Sequence, residues 1–420
     1  LQADTQDVPI RPRVIQALFS VDGQTMGMAV RAIAVVQSAT LTLPPPASPA
    51  DGSVDIAIPT DPHPPDLTDR IQHADSQSGG RLLWTFDSPH GGLEIPDAPV
   101  VTDIGSEPGQ FLRQVIDGIG AREGKPGLYA YLAGLGVTIA DEMPPEFWDL
   151  LGAIAAALPA GSGRPTIFIL SEEPYIPWEL ALVDPPLAAD SNAAPFLGAQ
   201  ACVGRWSLGQ RRPKLPPPTE VTVDRLAVIA GVYDREGWTR LVDAEGEAAE
   251  LAQRYGGAIV EARSADVLRC LAGDPEAALL HFALHGVYDP NSVTNGLVLV
   301  DGATLDPLQV RGQSLRGAPF VFLNACQVGS GSKLLGDYAG MAESFLYAGA
   351  SGVVAPLWSI GDGPARALST RFYERAFAGE SPSTILRSER AGFRDAPGAQ
   401  SATALAYIFY GHPSLRLVRP

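Results

Sequence analysis

Two stretches decide the fold: LLHFALHG at residues 279–286 and APFVFLNACQ at residues 318–327. Each is a short, nearly unbroken apolar run that ends in a reactive side chain, His285 in the first and Cys326 in the second. Runs of this length without polar alternation read as strands covered on both faces, the habit of parallel sheets. Their surroundings repeat the pattern: DRLAVIAGVYD (224–234), a helix over 240–255, GAIVEA (257–262), a helix over 265–272, GLVLVDG (296–302), a helix over 335–348, GVVAPLWS (352–359) and a helix over 363–378. Such alternation predicts an α/β fold, a mostly parallel central sheet with helices on both faces. Chemistry in such sheets gathers beyond the carboxyl ends of the strands, where His285 and Cys326 both fall.

That pair has a chemical use. A thiol becomes a strong nucleophile when a neighbouring imidazole takes its proton. Gly286, lacking a Cβ, lets a substrate backbone approach, and its N–H together with that of Cys326 would form an oxyanion hole. The alternative for Cys326 is a buried packing cysteine, common for this residue type, but Ala325, Gly329 and Gly331 leave room that packing does not require. His281 shares the strand face of His285 but lies deeper, where packing is the expected role. Cys202 and Cys270 read as packing residues, Trp178 and Glu179 as a core anchor with its polar cap, and His412 as a turn before the last strand. His63, His73 and His90 read as solvated.

Further upstream the character differs. VIQALFSVDGQTMGMAVRAIAVV (14–36) reads as a hairpin about Asp22-Gly23, with further strands at Val54–Ile58 and Arg81–Phe86 among Pro-rich loops at 43–52 and 59–66. Residues 1–104 are therefore expected to be a small β-rich domain, sandwich-like. Residues 105–208, with FLRQVIDGIG (111–120), PPEFWDLLGAIAAALP (144–159) and the strand TIFILS (166–171), read as a second α/β half, and GQRRPKLPPPTE (209–220) as a linker. Residues 221–420 form the expected catalytic domain. The half at 105–208 contains no His, so it can hold no second Cys–His dyad.

Composition narrows the function. With 45% apolar and 18% charged residues the 420-residue chain is folded rather than disordered, and long enough for two to four domains of roughly 100–200 residues. A net charge of -17 argues against nucleic-acid binding, which gathers affinity by neutralising phosphates. Three cysteines far apart point to no disulfide framework and suit a reducing, cytoplasmic location. No apolar run reaches the roughly 18 residues that a spanning helix needs, and the first residues lack the order of a signal peptide, so a membrane is not expected as a partner. Lysine occurs only at Lys125, Lys214 and Lys333 against many arginines, which points to a GC-rich bacterial origin.

Taken together, LLHFALHG, FLNACQVG (322–329), GMAESFLYAGASGVVAPLW (340–358), FYERAFAGESPSTILRSE (372–389), YGHPSLRLV (410–418) and ILSEEPYIPWELALVD (169–184) resemble the CHAT branch of the caspase-like cysteine peptidases, over roughly residues 107–420. The resemblance implies a caspase-like three-layer fold and peptide-bond hydrolysis through a thioester, with Cys326 as nucleophile and His285 as general base and acid. It implies no metal and no organic cofactor. It places the strand after the nucleophile, here Val354–Asp362, against the P1 side chain of the substrate, with Trp358 and Ser359 as lining, Asp362 as partner of a basic P1 residue and Asp337 as a second acidic candidate. A protein substrate, an activating or inhibitory protein partner and a place in bacterial defence or cell death complete that expectation. Two other functions stay open: a catalytically silent caspase-fold scaffold, and a different cysteine hydrolase or acyl transferase on the same fold.

Overall fold

The computed structural model of the chain describes residues 10–21, 24–36, 64–74, 80–105, 119, 122–159, 163–173, 176–187, 193–208, 217–234, 238–287, 296–326, 336–358, 360–395 and 401–420; for residues 10–36, Cys326 and residues 336–339 the description is of backbone alone. Two compact units emerge, Leu1–Pro64 and Pro65–Pro420. Within the first, β1 (Ile10–Val21) and β2 (Gln24–Val36) pair antiparallel from Ile10↔Val36 to Val21↔Gln24. Only Asp22 and Gly23 stand between them, the hairpin spacing that this dipeptide predicts. The expected strand Val54–Ile58 lies outside the described residues.

In the second unit the chain runs through β3 (Leu67–His73), β4 (Arg81–Asp87), β5 (Val100–Asp103), α1 (Leu128–Asp141), α2 (Pro145–Ala157), β6 (Thr166–Ser171), β7 (Cys202–Ser207), β8 (Glu220–Thr222) and β9 (Leu226–Ala230). It continues with α3 (Val242–Tyr255), β10 (Ala258–Glu261), α4 (Ser264–Leu271), β11 (Leu279–Val287), β12 (Gly296–Val298), β13 (Thr304–Leu305), β14 (Phe320–Cys326), α5 (Gly336–Ala348), β15 (Gly352–Pro356), α6 (Asp362–Ala376), α7 (Pro382–Ala391), β16 (Tyr407–Tyr410) and β17 (Arg416–Val418). Thirteen strands form one sheet in the order β10-β9-β11-β14-β15-β16-β7-β6-β3-β4-β5, with β12 and β13 continuing from β11.

This sheet is two parallel blocks back to back. Strands β10, β9, β11, β14 and β15 are mutually parallel, and so are β16, β7, β6 and β3; the blocks meet at the antiparallel β15–β16 pair. The mostly parallel sheet expected from the apolar runs is therefore present. Side chains alternate across it: His281 of β11 meets Tyr373 of α6, whereas the next residue, Phe282, packs on Phe345 of α5 with ring centroids 5.4 Å apart. Helices thus cover both faces, and the architecture is three-layered.

Strands β3–β5, by contrast, do not belong to a separate β-rich domain ending at residue 104. β3 pairs in parallel with β6 from Leu67↔Ile167 to Ile71↔Ser171, and β4 and β5 extend the same sheet. A parallel pairing between segments about a hundred positions apart leaves no local signature, and LTDRIQH carries a charged pair inside the strand. Asp69 there is fully buried with no hydrogen-bond partner, and burial pushes its carboxyl well above the usual carboxylate range.

Candidate active site

β9 leads on to β10 at one side of it, while β11 lies on its other side, so the winding of the sheet reverses between β9 and β11. Open α/β sheets form their ligand crevices beside such a reversal, at the strand carboxyl ends. β11 and β14 lie there as parallel neighbours, in register from Leu279↔Phe320 to His285↔Cys326. His285 and Cys326 are therefore direct cross-strand partners at the carboxyl end of the block, on one face of the sheet, with adjacent strands about 4.8 Å apart.

His285 is fully buried and held on several sides. Its Nε2 lies 2.7 Å from the backbone carbonyl oxygen of Thr239. A carbonyl only accepts, so Nε2 carries the proton and Nδ1 is the basic nitrogen of the neutral ring. Tyr233 stands edge-on to the imidazole with centroids 4.4 Å apart, and Trp238 lies 5.1 Å away. The Tyr233 hydroxyl accepts the His285 backbone N–H at 3.2 Å and donates to the carbonyl of Val298 at 2.7 Å, joining β11 to β12. Burial raises the pKa of this phenol, so it stays neutral and able to donate.

Below the dyad lies a buried polar cluster. Asn324, two residues before Cys326, donates through Nδ2 to both carboxylate oxygens of Glu247 at 2.8 Å and accepts from Tyr407 Oη through Oδ1 at 2.5 Å. Ser369 of α6 also donates to Glu247. His281, four residues before His285, shares Nδ1 with the Tyr373 hydroxyl at 2.9 Å, while its Nε2 sits 3.1 Å from Glu247 Oε1, close enough for an ion pair but off the line of a hydrogen bond. Bonds to an ionised group are worth about 1.5–3 kcal/mol each, and a half-satisfied buried cluster would cost more than none.

These residues match the CHAT domain over residues 149–414. The chain belongs to the CHAT-domain family. No curated protein matches it. Among solved structures it is similar to the separase–securin complex of Saccharomyces cerevisiae, at 12% identity and a TM-score of 0.36, covering 74% of this chain and 23% of that one. It is also similar to a structure described only as a protease, at 10% identity and a TM-score of 0.41, covering 70% of this chain and 76% of that one. The chain thus spans about a quarter of the separase chain.

The remaining residues singled out in this CHAT region fall as follows. Gly286 is buried in β11 opposite Leu297 of β12. Trp358 follows β15 and is 1% exposed, its indole N–H without a hydrogen-bond partner. Asp362 opens α6 and accepts the backbone N–H of Asp243 at 3.0 Å. Helix α3 has no side-chain cap of its own, so Asp362 supplies one from another helix and anchors the chain just after Thr239. Burial raises the Asp362 pKa, and the Asp243 N–H opposes the shift. Ser359 lies outside the described residues, and Asp337 is known here only as a backbone position in α5.

Other expectations settle more simply. Cys202 and Cys270 are buried, and burial pushes Cys270 up to about 11 and raises Cys202, so neither is poised as a thiolate. Trp178 is fully buried, and Glu179 pairs with the guanidinium of Arg205. His412 accepts the Ser414 N–H in the turn before β17. His90 is not simply solvated: its Nε2 lies 2.8 Å from Asp66 Oδ1. No helix among the described residues is long and apolar enough to cross a membrane.

The sequence reading did not find Thr239, Tyr233, Trp238 or Glu247. Thr239 acts through its main-chain carbonyl, which no side-chain pattern reports. Glu247 did carry a signal, since it stands on the α3 face shared by Ala244, Ala248 and Leu251, where an acid has to find a buried partner.

Proposed function

We propose that the chain is a cysteine endopeptidase whose nucleophile is Cys326 and whose general base and acid is His285. The observation that carries this reading is the register His285↔Cys326 at the carboxyl end of the parallel block, with the His285 tautomer set by the Thr239 carbonyl. Nδ1 takes the Cys326 proton, and the thiolate attacks the scissile carbonyl. The imidazolium, steadied by its Nε2–H bond to Thr239, returns that proton to the leaving amine. A thioester to Cys326 remains, which water cleaves with His285 as base. The N–H groups of Gly286 and Cys326 receive the oxyanion that forms in each half-reaction.

Trp358, with a buried indole N–H that lacks a protein acceptor, supports a role in lining the P1 pocket with Ser359 and Asp337. Asp362 has one carboxylate oxygen engaged by α3, and the other is the proposed partner of a basic P1 side chain. The substrate is a protein. Control by an activating or inhibitory protein partner follows from the harm that an unrestrained peptidase does to its own cell, and bacterial defence is the proposed setting.

A positional-scanning fluorogenic peptide library, offered to the wild type and to Cys326→Ala, tests this reading. Cleavage after Arg or Lys by the wild type alone is expected. Equal cleavage by both proteins excludes Cys326 as nucleophile, and cleavage confined to acidic or apolar P1 residues excludes the Asp362 pocket.

A further inference from the structure

Helix α3 reaches both dyad strands. Its lead-in supplies the Thr239 carbonyl to His285, and its interior supplies the Glu247 carboxylate to β14 and to the neighbourhood of β11. Strand alternation puts Asn324 on the face of Cys326 and His281 on the face of His285, and the register pairs Ala283 with Asn324 between them. Glu247 is 1% exposed, as hidden as any core side chain, and it gathers donors from two elements, Asn324 of β14 and Ser369 of α6, while His281 of β11 lies 3.1 Å away. Asn324 in turn is held from β16 by Tyr407.

We propose that Glu247 is a positioning residue for the reaction: its carboxylate fixes the carboxyl ends of β11 and β14 against α3, and so sets the approach of His285 to Cys326. The assignment rests on the peptidase reading above and deepens it. An acid is required because both hydrogen-bond partners present a hydrogen. Asn324 offers its amide N–H to both oxygens and Ser369 its hydroxyl to one of them, so only a group that accepts on both oxygens answers them. A glutamine of the same shape turns one acceptor into a donor, directed at the Asn324 amide. That amide then has to rotate, which breaks its bond from Tyr407 as well, and the loosened β14 end carries Cys326 two residues further on. Misplacement of reacting groups by about 1 Å costs on the order of 10²-fold in rate.

The test reads the dyad without needing a substrate. Alkylation of Cys326 by iodoacetamide, located by peptide mass spectrometry, is followed from pH 5 to 9 in the full chain for the wild type, His285→Ala, Glu247→Gln and the reversed pair Glu247→Gln/Asn324→Asp, beside peptide cleavage and the melting temperature of each. The reversed pair restores the hydrogen bond with donor and acceptor exchanged, and leaves Tyr407 and Ser369 their acceptors. Expected are a His285-dependent rate in the wild type, a fall of ~10²-fold in that component and in kcat with KM nearly unchanged for Glu247→Gln, and recovery of most of the loss in the reversed pair. A merely structural role predicts lower melting temperatures with no recovery of the His285-dependent rate. If Glu247→Gln does not fold, Ser369→Ala and the reversed pair decide the matter: a several-fold loss in the first and near-wild-type rate in the second support the proposal, and unchanged rate in the first overturns it. A wild-type rate equal to that of His285→Ala sinks the dyad itself. A His285-dependent wild-type rate left intact in folded Glu247→Gln sinks the role of Glu247 alone.

Discussion

The two parallel blocks of the sheet use the same backbone grammar and put their buried polar groups to opposite ends. In the block of β16, β7, β6 and β3, Arg205 of β7 is bound by Glu179, and Arg390 of α7 by the carbonyls of Gly198 and Tyr407. Burial opposes the Arg205 charge, but Glu179 beside it more than offsets this, so its pKa lies above the ordinary value; Arg390, hydrogen-bonded to carbonyls, is pulled down by burial to about 10, with Glu179 only partly opposing the shift. Both guanidiniums are buried and tied to protein groups, with Arg205 Nη1 and Arg390 Nε left without a hydrogen-bond partner. In the block of β10, β9, β11, β14 and β15 the closed cluster lies one layer lower, around Glu247, and above it the strand ends present His285 with one nitrogen fixed and Cys326 alongside. One block ties its buried charges into the core, and the other does so beneath a rim where the proposed dyad lies.

Substitutions should separate the two blocks, and the largest effect belongs to the dyad. Cys326→Ala and His285→Ala are each expected to cut peptide cleavage by 10³-fold or more, roughly the whole contribution of an activated nucleophile, with little change in melting temperature. Glu179→Gln should do the reverse. It leaves Arg205 buried without its counter-charge, so stability measured by urea unfolding should fall by about 3–5 kcal/mol while kcat per folded molecule stays near that of the wild type. Loss of cleavage without loss of stability in Glu179→Gln would show that the blocks are not separate in function.

Smaller effects sharpen the picture around His285. Tyr233→Phe removes the hydroxyl that accepts the His285 N–H and donates to Val298, so kcat should fall about tenfold at a cost of about 1–2 kcal/mol in stability. The smallest effect concerns Asp69 of β3. Its folded pKa is raised by burial, so the folded state prefers the protonated form. Stability is therefore greatest below the ordinary carboxylate pKa and falls as pH rises from that range towards the raised folded value. Asp69→Asn lacks this penalty and should melt a few degrees above the wild type at pH 8, with the gap closing at pH 4, as followed by circular dichroism. A gap independent of pH would mean that Asp69 is ionised in the fold.

Much of the reactive block was legible because its strands are short apolar runs with distinct ends, and LLHFALHG and FVFLNAC place their reactive residues at those ends without ambiguity. The other block was read only in part. TIFILS was plain, but LTDRIQH was hidden by Asp69 and Arg70, and its pairing with β6 depends on contacts far apart in sequence. Around the proposed dyad, His285 and Cys326 are written in the sequence and their supports mostly are not. A carbonyl such as that of Thr239 belongs to every residue, and Asp362, read for its charge as part of a specificity pocket, also serves as the missing cap of α3. Glu247 is the exception, an acid on an apolar helical face whose meaning needed only a partner.

The central claim is tested most directly by offering one cleaved peptide from the library to wild type, Cys326→Ala and His285→Ala at matched folded concentrations, with products identified by mass spectrometry. The account predicts peptide-bond products from the wild type and none above background from either variant. Products from Cys326→Ala at the wild-type rate would contradict it.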